Sequence, residues 1–281
     1  MKTRLALAAL TGLLSWSTAG AATVDELRES GIRIAIANER PYAYMNEEGE
    51  ASGPGPEVAR HVLAEIGIDE IEWVVTSFGD LIPGLEEGRF DMAAAEMAVL
   101  PERCERVIFS EPNTTYGEGL LVRFGNPHGF RFYSDFAKPG DMKVAVMAGA
   151  NQREYLQKLG VPDEKIVTIA DNDDAIEAIV NGTVDAYAAT GQTVIELAEN
   201  SDQVEPALDF VDPMIGGREI RGWGAFAFNR ESTELRDAVN EVLVAYKYTD
   251  EWQQTLEGHG FSMLDILNSF KFDTEQLCAL D

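Results

Sequence analysis

Short, unbroken apolar runs alternate along this chain with stretches in which apolar residues recur every three or four positions, the marks of buried strands and amphipathic helices. Runs at 32–37, 71–75 and 91–95 read as strands. Around them, 25–30 reads as one or two helical turns, 56–66 as a helix with Val58, Val62, Leu63 and Ile66 on one face, and 78–87 as a helix closed by Gly88. The cycle then repeats. Strands at 143–147, 166–169 and 184–189 alternate with helices over 151–159 and 173–181. A β-α-β-α-β order predicts a mostly parallel sheet with helices on its faces. Its doubling predicts an α/β protein of two lobes with a ligand cleft between them, because the loops at the carboxyl ends of open α/β sheets gather around ligands.

Two extended apolar segments, 117–124 and 224–228, read as crossings between the lobes. They divide the chain into a discontinuous first lobe, residues 22–118 and 224–281, and an inserted second lobe, residues 119–223. The helical region 235–256 then returns to the first lobe, with Val239, Leu243, Tyr246 and Trp252 as its packing residues.

Composition narrows the function. The 281 residues are 45% hydrophobic and 25% charged, which fits a globular protein and excludes disorder, collagen and coiled coil. A formal net charge of -27 repels phosphate backbones and anionic headgroups, so neither nucleic acid nor a membrane surface is an expected partner. The first residues suggest export. Met1 to Arg4 carries two positive charges, 5–16 is apolar but shorter than the roughly 20 residues of a membrane span, and Ala19-Gly20-Ala21 offers a small-x-small cleavage site. Residues 1–21 are therefore expected to be a signal peptide, and no cysteine follows to take a lipid. In an oxidising compartment the two cysteines, Cys104 and Cys278, invite a disulfide across a long loop, the other reading being two separate thiols. No metal or cofactor is expected: His61, His128 and His259 are scattered without ligand spacing, and no phosphate loop, nucleophile elbow or zincin motif is present.

Several phrases carry a family resemblance. These are Phe78-Gly79-Asp80-Leu81-Ile82-Pro83-Gly84-Leu85, Gly88-Arg89-Phe90-Asp91, Leu100-Pro101-Glu102-Arg103 followed by Phe109-Ser110-Glu111-Pro112, residues 144–155, and Asp185-Ala186-Tyr187-Ala188-Ala189. Through them nearly the whole chain after residue 21 resembles the amino-acid receptors of ABC importers, type II periplasmic binding proteins. Residues 37–44, Pro101-Glu102-Arg103-Cys104 and 274–279 look most similar to the ectoine and hydroxyectoine receptors. The resemblance implies a periplasmic, monomeric protein that closes on a small zwitterion by hinge motion and hands it to the permease subunits of an ABC importer.

It also implies a site. Arg103 stands at the carboxylate-binding position, where a planar guanidinium grips a carboxylate by two parallel hydrogen bonds. Ala150, Asn151 and Gln152 open a helix of the second lobe whose free N–H groups would meet the same carboxylate. Glu39 is the partner expected for the cationic end, with Tyr42 and Phe78 as aromatic walls. One departure widens the pocket: where the ectoine receptors have a third aromatic residue, this chain has Ala98 after Met97. Trp223, between Gly222 and Gly224, is the expected replacement wall; a larger solute is the other reading. Thr190-Gly191 stands where common amino-acid receptors often carry an acid, which argues against an ordinary α-amino acid and leaves ectoine-like, betaine-like and modified amino-acid solutes. A few exported dehydratases share this pattern, and in that reading Glu39 or Glu96 would act as a base; a non-enzyme is expected.

Overall fold

The computed structural model describes residues 21–280. The expected leader lies outside the described residues except for Ala21. Two five-stranded paths organise the rest. The first runs in the order Ile71–Val75, Ile32–Ile36, Met92–Ala98, Gly222–Phe228, Ile108–Phe109, with Thr114–Tyr116 also paired to Gly222–Phe228. The second runs Ile166–Ile169, Val144–Met147, Ala186–Thr190, Glu118–Arg123, Val204–Pro206. In each, three parallel strands meet an antiparallel strand beside the third. This is the two-lobed α/β architecture that the repeated pattern predicts.

Burial explains the strand order. Every residue of Met92–Ala98 is buried, as a strand covered on both faces must be. Its alternate side chains feed two cores: Met92, Ala94 and Ala98 join Val58, Val62 and Phe226, while Ala93, Ala95 and Met97 join Leu81, Leu85 and Phe109. The helix Pro54–Glu65 starts where Pro54 needs no N–H partner and lays Val58, Ala59, Val62 and Leu63 on the sheet. Gly55 lets it approach so closely that a Cβ there would stand 2.4 Å from the Ala94 carbonyl oxygen.

Several boundaries differ from the sequence reading for local reasons. The predicted strand at 91–95 runs on to Ala98 because Gly222–Phe228 pairs with its end, Gly224 opposite Ala98. The predicted helix over 78–87 is a 3-10 turn, Phe78–Asp80, followed by the α-helix Leu81–Glu86. The region 235–256 is two helices, Thr233–Tyr246 and Asp250–Gly258; Thr249 ends the continuity by accepting the N–H of Trp252 as an N-cap. Gly222–Phe228 lies within the first sheet, so the second passage between sheets is complete before Gly222 and the segment 224–228 is not itself a crossing. The first passage is Gly117, between Thr114–Tyr116 in one sheet and Glu118–Arg123 in the other. Cys104 and Cys278 form a disulfide that fastens the last helix, Thr274–Cys278, to the short helix Pro101–Cys104. Among the described residues no helix is long and apolar enough to cross a membrane.

Candidate ligand-binding cleft

The carboxyl ends of the two sheets face one another across a narrow cavity lined by residues of both lobes. The lobes touch around it. Tyr42 Oη donates to Thr190 Oγ1 at 2.7 Å, Thr193 Oγ1 donates to Glu39 Oε1 at 3.1 Å, and Arg103 Nη2 donates to the Gly149 carbonyl at 3.1 Å. Backbones meet as well: a Cβ on Gly149 would come within 2.8 Å of Gly79 Cα, and Gly149 holds φ at +78°, where a side chain is strained in any case.

Arg103 reaches the cavity from the helix Pro101–Cys104, which Pro101 begins. Only 7% exposed, its guanidinium is fixed by a second donation, Nη1 to the Ala98 carbonyl at 3.0 Å, and it lies 5.5 Å from the centre of the Phe78 ring. Phe78 packs on the apolar clusters of both lobes. Glu39 follows the strand Ile32–Ile36, after Asn38 at φ +52°. Burial raises its pKa, opposed by hydrogen bonds from Asn172 and Thr193 and by the charge of Arg103. The cavity is therefore lined by a guanidinium and a carboxylate, together with aromatic rings.

Of the residues expected from sequence, Glu39, Tyr42, Phe78, Ala98, Arg103, Ala150, Asn151, Gln152 and Thr190 all line this cavity. Two do not. Met97 is 1% exposed and points into the first-lobe core; it edges only the outer part of the cleft. Trp223 turns to the far face of its strand, where its ring meets Phe272 edge-on at 5.1 Å and Nε1 donates to the Asn268 carbonyl at 3.2 Å. It cannot replace a wall beside Ala98. The glycines around it serve other neighbours: Gly222 makes room for the Tyr116 ring, and Gly224 for Thr114 and Glu96.

Tyr116, Tyr187 and Met147 also line the cavity and were missed, and Glu96, expected only as a base in the dehydratase reading, lines it too. For Tyr187 a signal existed, since alternation in a strand at 184–189 places one tyrosine on a sheet face at its carboxyl end. Tyr116 and Glu96 depend on tertiary packing. Tyr116 Oη donates to the Glu96 carbonyl at 2.8 Å, and Glu96 adopts φ +48° near the end of a fully buried strand. The Glu96 carboxylate accepts from Asn113 Nδ2 at 2.7 Å and Thr114 Oγ1 at 2.6 Å, tying the first-lobe strand to the segment that leads to the second lobe. Burial lifts its pKa to about 7 against those bonds and the charge of Lys247.

A two-lobed α/β protein with an arginine and a carboxylate on one enclosed interlobe cavity defines a small-solute receptor. Residues 32–261 match bacterial extracellular solute-binding proteins, family 3, and the chain belongs to that family. It is 52% identical, over 97% of its length and 91% of the relative's, to the probable amino-acid ABC transporter periplasmic-binding protein y4tE of Sinorhizobium fredii strain NBRC 101917 / NGR234. The solved structure of EhuB in complex with hydroxyectoine is similar with a TM-score of 0.83 and 30% identity, covering 92% of this chain and 98% of that one. More distant is the cyclohexadienyl dehydratase of Pseudomonas aeruginosa, 26% identical over 64% of this chain and 67% of that enzyme.

Proposed function

We propose that this protein is the periplasmic receptor of an ABC importer for a small amino-acid-like zwitterion, ectoine or hydroxyectoine being the first candidates. The observation that carries this reading is the shared cavity of Arg103 and Glu39, one fixed cation and one carboxylate enclosed by Tyr42, Phe78, Tyr116 and Tyr187. Arg103 takes the solute's carboxylate; its side chain is already oriented by the Ala98 carbonyl. Glu39 takes the cationic end, which the aromatic faces also favour. Because Glu39 and Arg103 belong to the first lobe while Thr193 and Gly149 belong to the second, a solute bound between them adds contacts to both lobes and favours the closed state by differential affinity. Permease subunits would read that closed form. Ala98 in place of an aromatic residue, with Trp223 turned away, keeps a solute bulkier than ectoine as the second reading.

Thermal-shift and calorimetric screening of the processed protein against ectoine, hydroxyectoine, betaines, proline and basic amino acids tests the reading. At least one of these zwitterions should stabilise the protein, and a panel without any response sinks the proposal. We read the protein as non-catalytic, so each stabilising compound should remain unchanged by NMR on prolonged incubation.

A further inference from the structure

Behind the second-lobe wall lies a buried acid outside the clamp. Glu118 begins the strand that follows the Gly117 passage and stands opposite Thr190 in the sheet. It is 6% exposed, and its Oε1 has no hydrogen-bond partner among the described residues. Its Oε2 accepts from Gln152 Nε2 at 2.8 Å and lies 3.0 Å from Tyr133 Oη. Gln152 itself is a cavity residue. A carboxylate can only accept, so an ionised Glu118 must engage the NH₂ of the Gln152 amide, and the amide oxygen is what remains for the cavity. Asn151 is committed in the same sense, its Nδ2 donating to Tyr155 Oη at 2.8 Å. Each NH₂ thus has one donor committed, and the amide oxygens remain to accept from a solute, as does the nearby Gly149 carbonyl.

We propose that Glu118 is a positioning residue that sets which end of the solute the second lobe reads. Ionised, it holds the Gln152 NH₂ and leaves an acceptor for the solute's N–H groups; protonated, it donates to the Gln152 oxygen and lets the amide turn its NH₂ to the cavity. The inference rests on the cavity being the solute site and sharpens it: the solute's nitrogen-rich end carries N–H donors, as an amidinium, guanidinium or primary ammonium does and a quaternary ammonium does not. The orphan oxygen supports this, because a buried carboxylate short of a donor is poised to take up a proton. Burial lifts Glu118 to about 7, with Asp212, whose Oδ1 accepts the Glu118 backbone N–H at 2.7 Å, pushing the same way. The other titratable groups that feel Glu118 are Tyr42, Tyr116, Tyr133 and Tyr155, all raised by burial and therefore neutral across this range.

The test follows the side-chain amide resonances of Gln152, assigned with Gln152→Ala, through a pH titration of the free protein. They should move with a midpoint near 7 in wild type and in Glu96→Gln, whose acid titrates in the same range, and should not move in Glu118→Gln. Calorimetry with L-arginine, ectoine and glycine betaine as probes should give tighter binding of the N–H-bearing probes at pH 8 than at pH 6. That dependence should be lost in Gln152→Ala, and betaine should lack it. A Gln152 resonance indifferent to pH, or one titrating identically without Glu118, overturns the proposal. The resonance needs no solute, so it decides the role of Glu118 even where no probe binds, an outcome that would instead count against the receptor reading. Should Glu118→Gln fail to fold, the wild-type titration and the Gln152→Ala binding profile carry the same decision.

Discussion

At the residue scale the proposed clamp rests on Arg103. Its guanidinium is buried and braced by backbone carbonyls from both lobes, so it can meet a carboxylate without first losing rotamer freedom. Hydrogen bonds to charged groups contribute about 1.5–3 kcal/mol each. Arg103→Ala should therefore weaken solute binding on the order of 100-fold or more while leaving a cooperative unfolding transition; a wild-type thermal-shift response would remove the clamp. Ala98→Phe tests the open wall. The added ring would stand on the same sheet face as Tyr42, and one cation–ring contact is worth about 1–2 kcal/mol when desolvated. Calorimetry should show ectoine bound about tenfold more tightly, and weaker binding would mean that the space belongs to a bulkier solute. Arg103 and Glu39, singled out by residue type at recognisable phrases, do line one cavity. Met97 does not: period-2 alternation allows only one of Met97 and Ala98 to face the cavity, and the small residue is the one that does.

Among the elements, the four-residue helix Pro101–Cys104 is too short to hold itself in place. The Cys104–Cys278 disulfide, adjacent to Arg103, pins it to the helix Thr274–Cys278 across 174 residues of sequence. A bridge closing so long a loop contributes typically about 2–4 kcal/mol. Replacing both cysteines by serine should lower the melting temperature by roughly 4–16 °C at the usual 2–4 °C per kcal/mol for chains of this size. Solute affinity should fall with it, since the arginine's helix is freed; unchanged melting would show that packing of Leu277 alone suffices. Elements were read well where burial is uniform, as in the central strands. Their ends were not, because Ala98 stays in strand only through its pairing with Gly224, and the helix over 81–86 begins late because 78–80 winds as a 3-10 turn between the lobes.

Over the whole molecule, buried acids govern the response to pH. Glu96 titrates near 4.5 when unfolded and near 7 in the native state. Between those values the native protein binds more protons than the unfolded chain, so stability falls as pH rises through this window. A shift of this size is worth on the order of 3 kcal/mol. Melting temperature should thus be higher near pH 5.5 than near pH 8, a trend that the net charge of -27 reinforces by self-repulsion. Glu96→Gln isolates its share, since it should flatten the profile in part and leave what Glu118 and the net charge contribute. An unaltered profile would mean that Glu96 is ionised at little cost in the native protein.

The alternation of strand and helix patterns, repeated once, determined by itself that two α/β lobes would form, since periodicity dictates which faces must be buried. Residue chemistry likewise singled out Arg103, Glu39, Tyr42 and Phe78, which line one cavity. Only the tertiary structure decided which side chains share the cavity. It turned Trp223 toward Phe272, brought Tyr116, Tyr187 and Glu96 to the wall, and set Glu118 behind it. The physical reason is that facing depends on pairing partners far apart in sequence. Gly224 opposite Ala98 and Glu118 opposite Thr190 join residues whose local patterns carry no trace of one another.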